Sequence, residues 1–131
     1  MRKKPTLYLL FNHKLTTEQE ENAYQTLDIE KIVYFPKELL DIWGNISPES
    51  ESLRGLLEPI VAFMDRELSH GDYLLVQGDF GATYLAVEHA KQFGIIPLYA
   101  TTKREAVEKI VDGKSIKTSI FTHVRFRVYG V

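Results

Sequence analysis

The sequence predicts an α/β protein, an open, mainly parallel sheet with flanking helices and a C-terminal antiparallel β element. Three observations predict it. Leu7-Tyr8-Leu9-Leu10-Phe11 and Tyr73-Leu74-Leu75-Val76 are continuously apolar and bounded by polar or glycine residues, the pattern of strands buried on both faces. Segments with helical apolar spacing lie between such runs, the alternation that builds parallel sheets. The tail then switches to a period of two.

The elements follow in order. Leu7–Phe11 is the first strand. Thr16 with Gln19 three residues on forms a capping box that opens a helix through about Gln25. Lys31-Ile32-Val33-Tyr34-Phe35 is a weaker strand. From Leu53, apolar residues at 53, 56, 57, 60, 61, 64 and 68 trace one helical face, with Ser47-Pro48 as the start signal and Pro59 expected to kink or split the segment. Tyr73–Val76 is a strand, and Phe80–Phe93 is a helix closed by Gly94. Ile95-Ile96-Pro97-Leu98-Tyr99 is a strand whose proline places it at an edge or a bulge. Thr102 with Glu105 reads as a second capping box, predicting a short helix to about Val111. Asp112-Gly113 is a turn signal, and residues 114–128 are expected to form an antiparallel ribbon. There Val124, Phe126 and Val128 point one way, and His123, Arg125, Arg127 and Tyr129 the other.

The 131 residues suit one domain spanning 1–131, with no internal repeat, low-complexity tract or linker. A hydrophobic share of 44% and a charged share of 26% exclude a disordered chain. The absence of cysteine excludes a disulfide framework, a thiol nucleophile and thiolate metal sites. No apolar run approaches the roughly 20 residues of a membrane span. The start Met1-Arg2-Lys3-Lys4 is basic, but the apolar run after it is too short for a signal peptide, so a cytoplasmic, unexported protein is expected. A net charge of −2 argues against a binder of long nucleic acid. The charge is unevenly spread: residues 1–102 carry 9 basic and 15 acidic side chains, residues 103–131 carry 7 and 3. That basic segment is either a local anion site or a solvated basic edge.

Open α/β sheets bind ligands beyond the carboxyl ends of their strands. Three polar loops are expected there: Asn12-His13-Lys14, Gln77-Gly78-Asp79-Phe80-Gly81-Ala82-Thr83, and Thr101-Thr102-Lys103-Arg104. In the second, glycines allow close approach to the backbone and a helix start favours an anion. It is neither a dinucleotide fingerprint nor a P-loop. Asp79 either caps the helix or binds a ribose hydroxyl or base amine. His13 and His123 have the pKa range of an acid or base, and the plain alternative is a loop residue and a structural strand residue. Lys14, Lys103, Arg104, Arg125 and Arg127 could ring a ligand with several phosphates. Phe80, Tyr84 and Tyr99 are either stacking surfaces or core, and Trp43 is a packing residue. No His/Asp/Glu spacing supplies a metal set, and no cofactor is expected.

Leu9-Leu10-Phe11-Asn12-His13, the Val76–Tyr84 block with Gln-Gly-Asp-Phe-Gly-Ala-Thr, Tyr99-Ala100-Thr101-Thr102, and Phe121-Thr122-His123-Val124-Arg125-Phe126 together resemble a small Csx-type family of CRISPR-associated ancillary proteins that accompany type III systems. The likeness spans nearly the whole chain, and the Gln77–Thr83 block is its most specific part. It implies a Rossmann-like homodimer that binds cyclic tetra-adenylate, the alarm molecule of such systems, and cleaves it as a ring nuclease. The implied chemistry is metal-independent attack of a ribose 2′-hydroxyl on the adjacent phosphate. On loop position and chemistry, the expected ligand contacts are Asn12, Gln77, Gly78, Asp79, Phe80, Gly81 and Thr83 together with Thr101, Thr102, Lys103 and Arg104. The expected catalytic residues are His13, Lys14, His123 and Arg125. The competing expectation is a protein that sequesters the ring without cutting it.

Overall fold

A computed structural model describes residues 3–131; the basic start at Met1-Arg2 lies outside the described residues. The elements run β1 (Thr6–Leu10), α1 (Thr17–Leu27), β2 (Lys31–Tyr34), α2 (Lys37–Gly44), α3 (Arg54–Glu67), β3 (Tyr73–Val76), α4 (Phe80–Gln92), β4 (Ile96–Val111) and β5 (Lys114–Val128). They build one five-stranded sheet in the order β2-β1-β3-β4-β5, with β1 to β4 parallel and β5 antiparallel to β4.

The apolar runs became strands because both faces of the sheet are covered. Leu7, Leu9, Leu10, Leu74, Leu75 and Val76 are fully buried. Leu10, Leu74 and Val76 pack with Trp43 of α2, Ile60 and Met64 of α3, and Ala86 of α4. Leu7, Leu9, Leu75 and Leu98 pack on the other face with Ala23 of α1 and Phe126. Each such side chain contributes about 1.5–3 kcal/mol through burial. The capping box of α1 is complete, with Thr16 Oγ1 accepting from the Gln19 N–H and Gln19 Oε1 accepting from the Thr16 N–H.

Several expectations need correction. The helix expected from Thr102 to Val111 does not exist: the segment continues β4, paired residue for residue with β5. A local capping signal lost there to ladder hydrogen bonds offered by a neighbouring strand. Thr101–Arg104 is therefore strand, not loop. Pro97 lies in an interior strand, near its start. Its missing donor falls at the last rung, where the Tyr129 N–H donates to the Pro97 carbonyl, so no inner ladder bond is lost. Pro59 neither splits nor ends α3. It sits in the second turn, where the orphaned partner is the carbonyl of exposed Gly55, open to water. Ser47-Pro48 precedes a loop, and α3 starts at Arg54; α2 carried no sequence signal beyond Pro36.

The hairpin turn is where Asp112-Gly113 placed it, with φ of 51° and 76°. Such positive values at both turn positions match the twist of the flanking strands. The period-two reading of the tail fails at one residue. A bulge skips Val124, so Thr101 pairs with Arg125 but Thr102 pairs with His123. His123 consequently shares a face with Phe126, their rings 4.8 Å apart, rather than with Arg125.

Candidate functional site

The connection leaving β1 runs over one face of the sheet and the connection leaving β3 over the other, and β1 and β3 are neighbours. Their outgoing loops diverge at the carboxyl ends of these strands, the position at which open α/β sheets bind ligands. Asn12 and His13 follow β1, Gln77 to Asp79 follow β3, and Thr101 and Thr102 stand beside them on β4.

Trp43 floors this pole. It is 2% exposed, and its Nε1–H donates to the Gln77 carbonyl at 2.9 Å. A Cβ on Gly78 would lie 2.5 Å from Trp43 Nε1, so this glycine serves the approach of the indole. One on Gly44 would lie 2.6 Å from Asn12 Nδ2. Asn12, Trp43, Gly44 and Gly78 thus form one packed junction between α2 and the two loops.

Two expected ligand contacts carry structural bonds. The Gln77 side-chain oxygen accepts from the Ala100 N–H at 2.7 Å, tying β3 to β4 where their ladder ends. Asp79 is the N-cap of α4, its carboxylate accepting from the Ala82 N–H at 3.0 Å, which favours the capping reading. Phe80, the first residue of α4, is 95% exposed, and Tyr84 one turn on is 64% exposed. Neither is core. A Cβ on Gly81 would lie 3.4 Å from Leu53 and 3.5 Å from the Asp79 carboxylate, and Thr83 Oγ1 is buried with no hydrogen-bond partner.

On β4, the Thr101 hydroxyl donates to the Arg125 carbonyl at 3.0 Å. Register puts Thr101 and Arg125 on the same face as Tyr99 and Arg127, the α4 side. There the Arg127 guanidinium lies over the Tyr99 ring and donates to its hydroxyl at 3.1 Å. Burial holds the Tyr129 hydroxyl above its ordinary pKa, and it donates to the Val76 carbonyl. Lys103 lies 3.8 Å from Glu105, and Arg104 Nε donates to Ser119.

The four expected catalytic residues do not share one place. His13 stacks edge-on against Phe11, and Lys14 is exposed beside it. Arg125 lies on the α4 face. His123 lies on the α1 face, its Nε2 2.8 Å from Asn22 Oδ1 and its Nδ1 buried with no partner. Burial lowers its pKa, and Glu18 opposes that shift.

A cavity of about 900 Å³ lies at the opposite pole around Lys4, Tyr8, Glu67 and Asp72. A second, about 450 Å³, joins the 46–54 loop to Asp79, Gly81 and Tyr84 at the start of α4. Sequence reasoning missed that loop, in which Ser50, Ser52 and Arg54 border the candidate site; its polar, Ser-rich composition was the available signal. Among the described residues, no three His, Asp or Glu side chains cluster as metal ligands, and no helix is long and apolar enough to cross a membrane.

Fold and site define an α/β protein with an open, mostly parallel sheet and a polar pole at adjoining strand ends. Over residues 5–127 the chain matches the family described as "Uncharacterized protein MJ1673 family", and it belongs to that family. It is similar to "Uncharacterized protein MJ1673" of Methanocaldococcus jannaschii, at 44% identity over 125 residues that cover 95% of this chain and 97% of that protein. No solved structure matches it.

Proposed function

We propose that this chain is a Rossmann-like ring nuclease of type III CRISPR signalling, acting in the cytoplasm as a homodimer on cyclic tetra-adenylate. The observation that carries this reading is the junction of two strand ends, β1 and β3, with Thr101 and Thr102 of the continuing β4 beside them. It supports a compact polyanionic ligand held against the loops after β1 and β3, with cations arriving from β4 and β5. A four-phosphate ring with two-fold symmetry suits a dimer in which each subunit offers these loops to half of it. The 95% exposure of Phe80 supports an adenine stacked on its ring.

In the proposed reaction a ribose 2′-oxygen attacks the adjacent phosphorus while the bond from phosphorus to the 5′-oxygen breaks. The products are linear with 2′,3′-cyclic phosphate ends. His13 takes the 2′-hydroxyl proton, Lys14 beside it offsets the developing charge, and the 5′-oxygen takes a proton from water. His123 acts as a support, since its ring is bonded to Asn22 on the other face.

One observation favours the second reading, a protein that sequesters the ring. Among the described residues, neither His13 nor Lys14 is held by a hydrogen bond or ion pair, so no acid–base pair is preset. Incubation with labelled cyclic tetra-adenylate in chelator separates the two. Multiple turnover to cyclic-phosphate ends is expected of the nuclease. Capture that stops at stoichiometry supports the sequestering protein, and no rise in melting temperature with the ring overturns both.

A further inference from the structure

Beyond Thr102 and His123, β4 and β5 continue as a two-stranded arm, with Asn22 of α1 bonded to His123 at its base. An isolated hairpin is marginal in water, and an uncovered edge strand invites pairing. Register places Val107, Val111, Ile116 and Ile120 on one face, alternating between the strands in a staggered apolar stripe. This face continues the α4 side of the sheet; Lys109 and Lys114 flank the stripe, while Lys103 lies 3.8 Å from Glu105 on the same face. Ile116 and Ile120 are 44% and 49% exposed.

The body carries a matching surface on that same side. A groove of about 390 Å³ runs between α3 and α4, with Leu57, Val61 and Leu85 in its apolar lining, Glu58 and Glu88 along it and, among the described residues, Arg54 as its one cationic residue besides His89. Apolar stripe meets apolar floor, and lysine meets glutamate. The wider charge distribution agrees, since the body is acidic and the tail basic.

We infer that the arm clasps a second copy of this chain, seating its Val107–Ile120 face in the α3–α4 groove of the partner while the partner's arm does the same in return. The two contacts are related by a two-fold axis, because the stripe and the groove lie on the same side of the sheet and therefore face each other when two chains oppose. Arm against arm would set lysines against lysines. Two reciprocal contacts help reach the roughly 1,600 Å² of a stable interface. The clasp specifies the dimer of the proposed function, resting on that reading only for its two-fold symmetry, and it is tested without nucleotide, so failure of either is separable.

Sedimentation equilibrium of the full chain is expected to give twice the 15.1 kDa chain mass. Ile116→Asp with Ile120→Asp is expected to halve that mass, with circular dichroism reporting an intact body. A charge exchange identifies the seat. Lys109→Glu with Lys114→Glu in one chain, and Glu58→Lys with Glu88→Lys in another, each lose the dimer alone and regain it when mixed. A monomeric wild-type chain, a dimer that survives the aspartates or either reversal, or a mixture that stays monomeric overturns the clasp.

Discussion

The sheet body and the β4–β5 arm are made from the same strands and stabilised in opposite ways. In the body, β4 is covered on both faces, and Leu98 is 1% exposed. A dozen residues further along the same strand, Ile110 is 80% exposed. Backbone pairing is equally complete in both regions. The difference teaches that ladder hydrogen bonds set the shape of this chain, while burial sets where it is stable: a hydrogen bond is worth about 1 kcal/mol net, and a buried side chain more.

The sharpest break of that contrast is Trp43→Ala, which empties the floor under the crevice. A loss of about 3–5 kcal/mol is expected in denaturant unfolding, and a loss under 1 kcal/mol would show that the junction does not hold the loops. Next comes Gly78→Ala, whose methyl would meet the indole at 2.5 Å. About 1–3 kcal/mol is expected, against a smaller cost for Gly44→Ala, where the flexible end of Asn12 can move aside. Asp79→Ala removes the α4 cap at about 1 kcal/mol, and retained ring binding in that variant would assign the carboxylate to capping alone. The smallest effect belongs to the arm. Ile110→Ser, on the face away from the proposed clasp, is expected within about 0.5 kcal/mol of wild type.

The pH dependence separates the regions at their boundary. His123 has a lowered pKa in the folded chain, so the unfolded chain takes up its proton first. Its contribution to stability is present above the ordinary histidine value of about 6.5 and is lost as pH falls through the folded value. Unfolding followed by circular dichroism from pH 7.5 to 5 should show this loss, and His123→Gln should flatten it.

Much of the body was legible because its signals are local and agree with each other. Apolar runs marked β1 and β3, Thr16 and Gln19 marked the start of α1, and Gly94 marked the end of α4. Asp112-Gly113 marked the hairpin turn. The arm was half legible. Its second strand showed a period of two, but its first carried a helix-capping pattern at Thr102 and Glu105 that only a pairing partner could override. In the candidate site, the ends of β1 and β3 were visible as polar residues after apolar runs, whereas the polar stretch Thr101–Arg104 lies in the middle of β4. Capping by Asp79 was one of its two sequence readings, since the Ala82 N–H lies three residues on, but the commitment of Gln77 was not visible, because the Ala100 N–H that fixes it lies 23 residues away.

The sequence by itself determined the α/β class, the strands buried on both faces, the turn at Asp112-Gly113 and the polar character of the pole. Each follows from residue type and spacing within a few positions of the chain. Only the tertiary structure decided that β4 runs on as an arm, that a bulge at Val124 turns His123 toward α1, and that Trp43 occupies the space Gly78 leaves open. Those outcomes depend on contacts between residues far apart in sequence, where packing and pairing outweigh local preference.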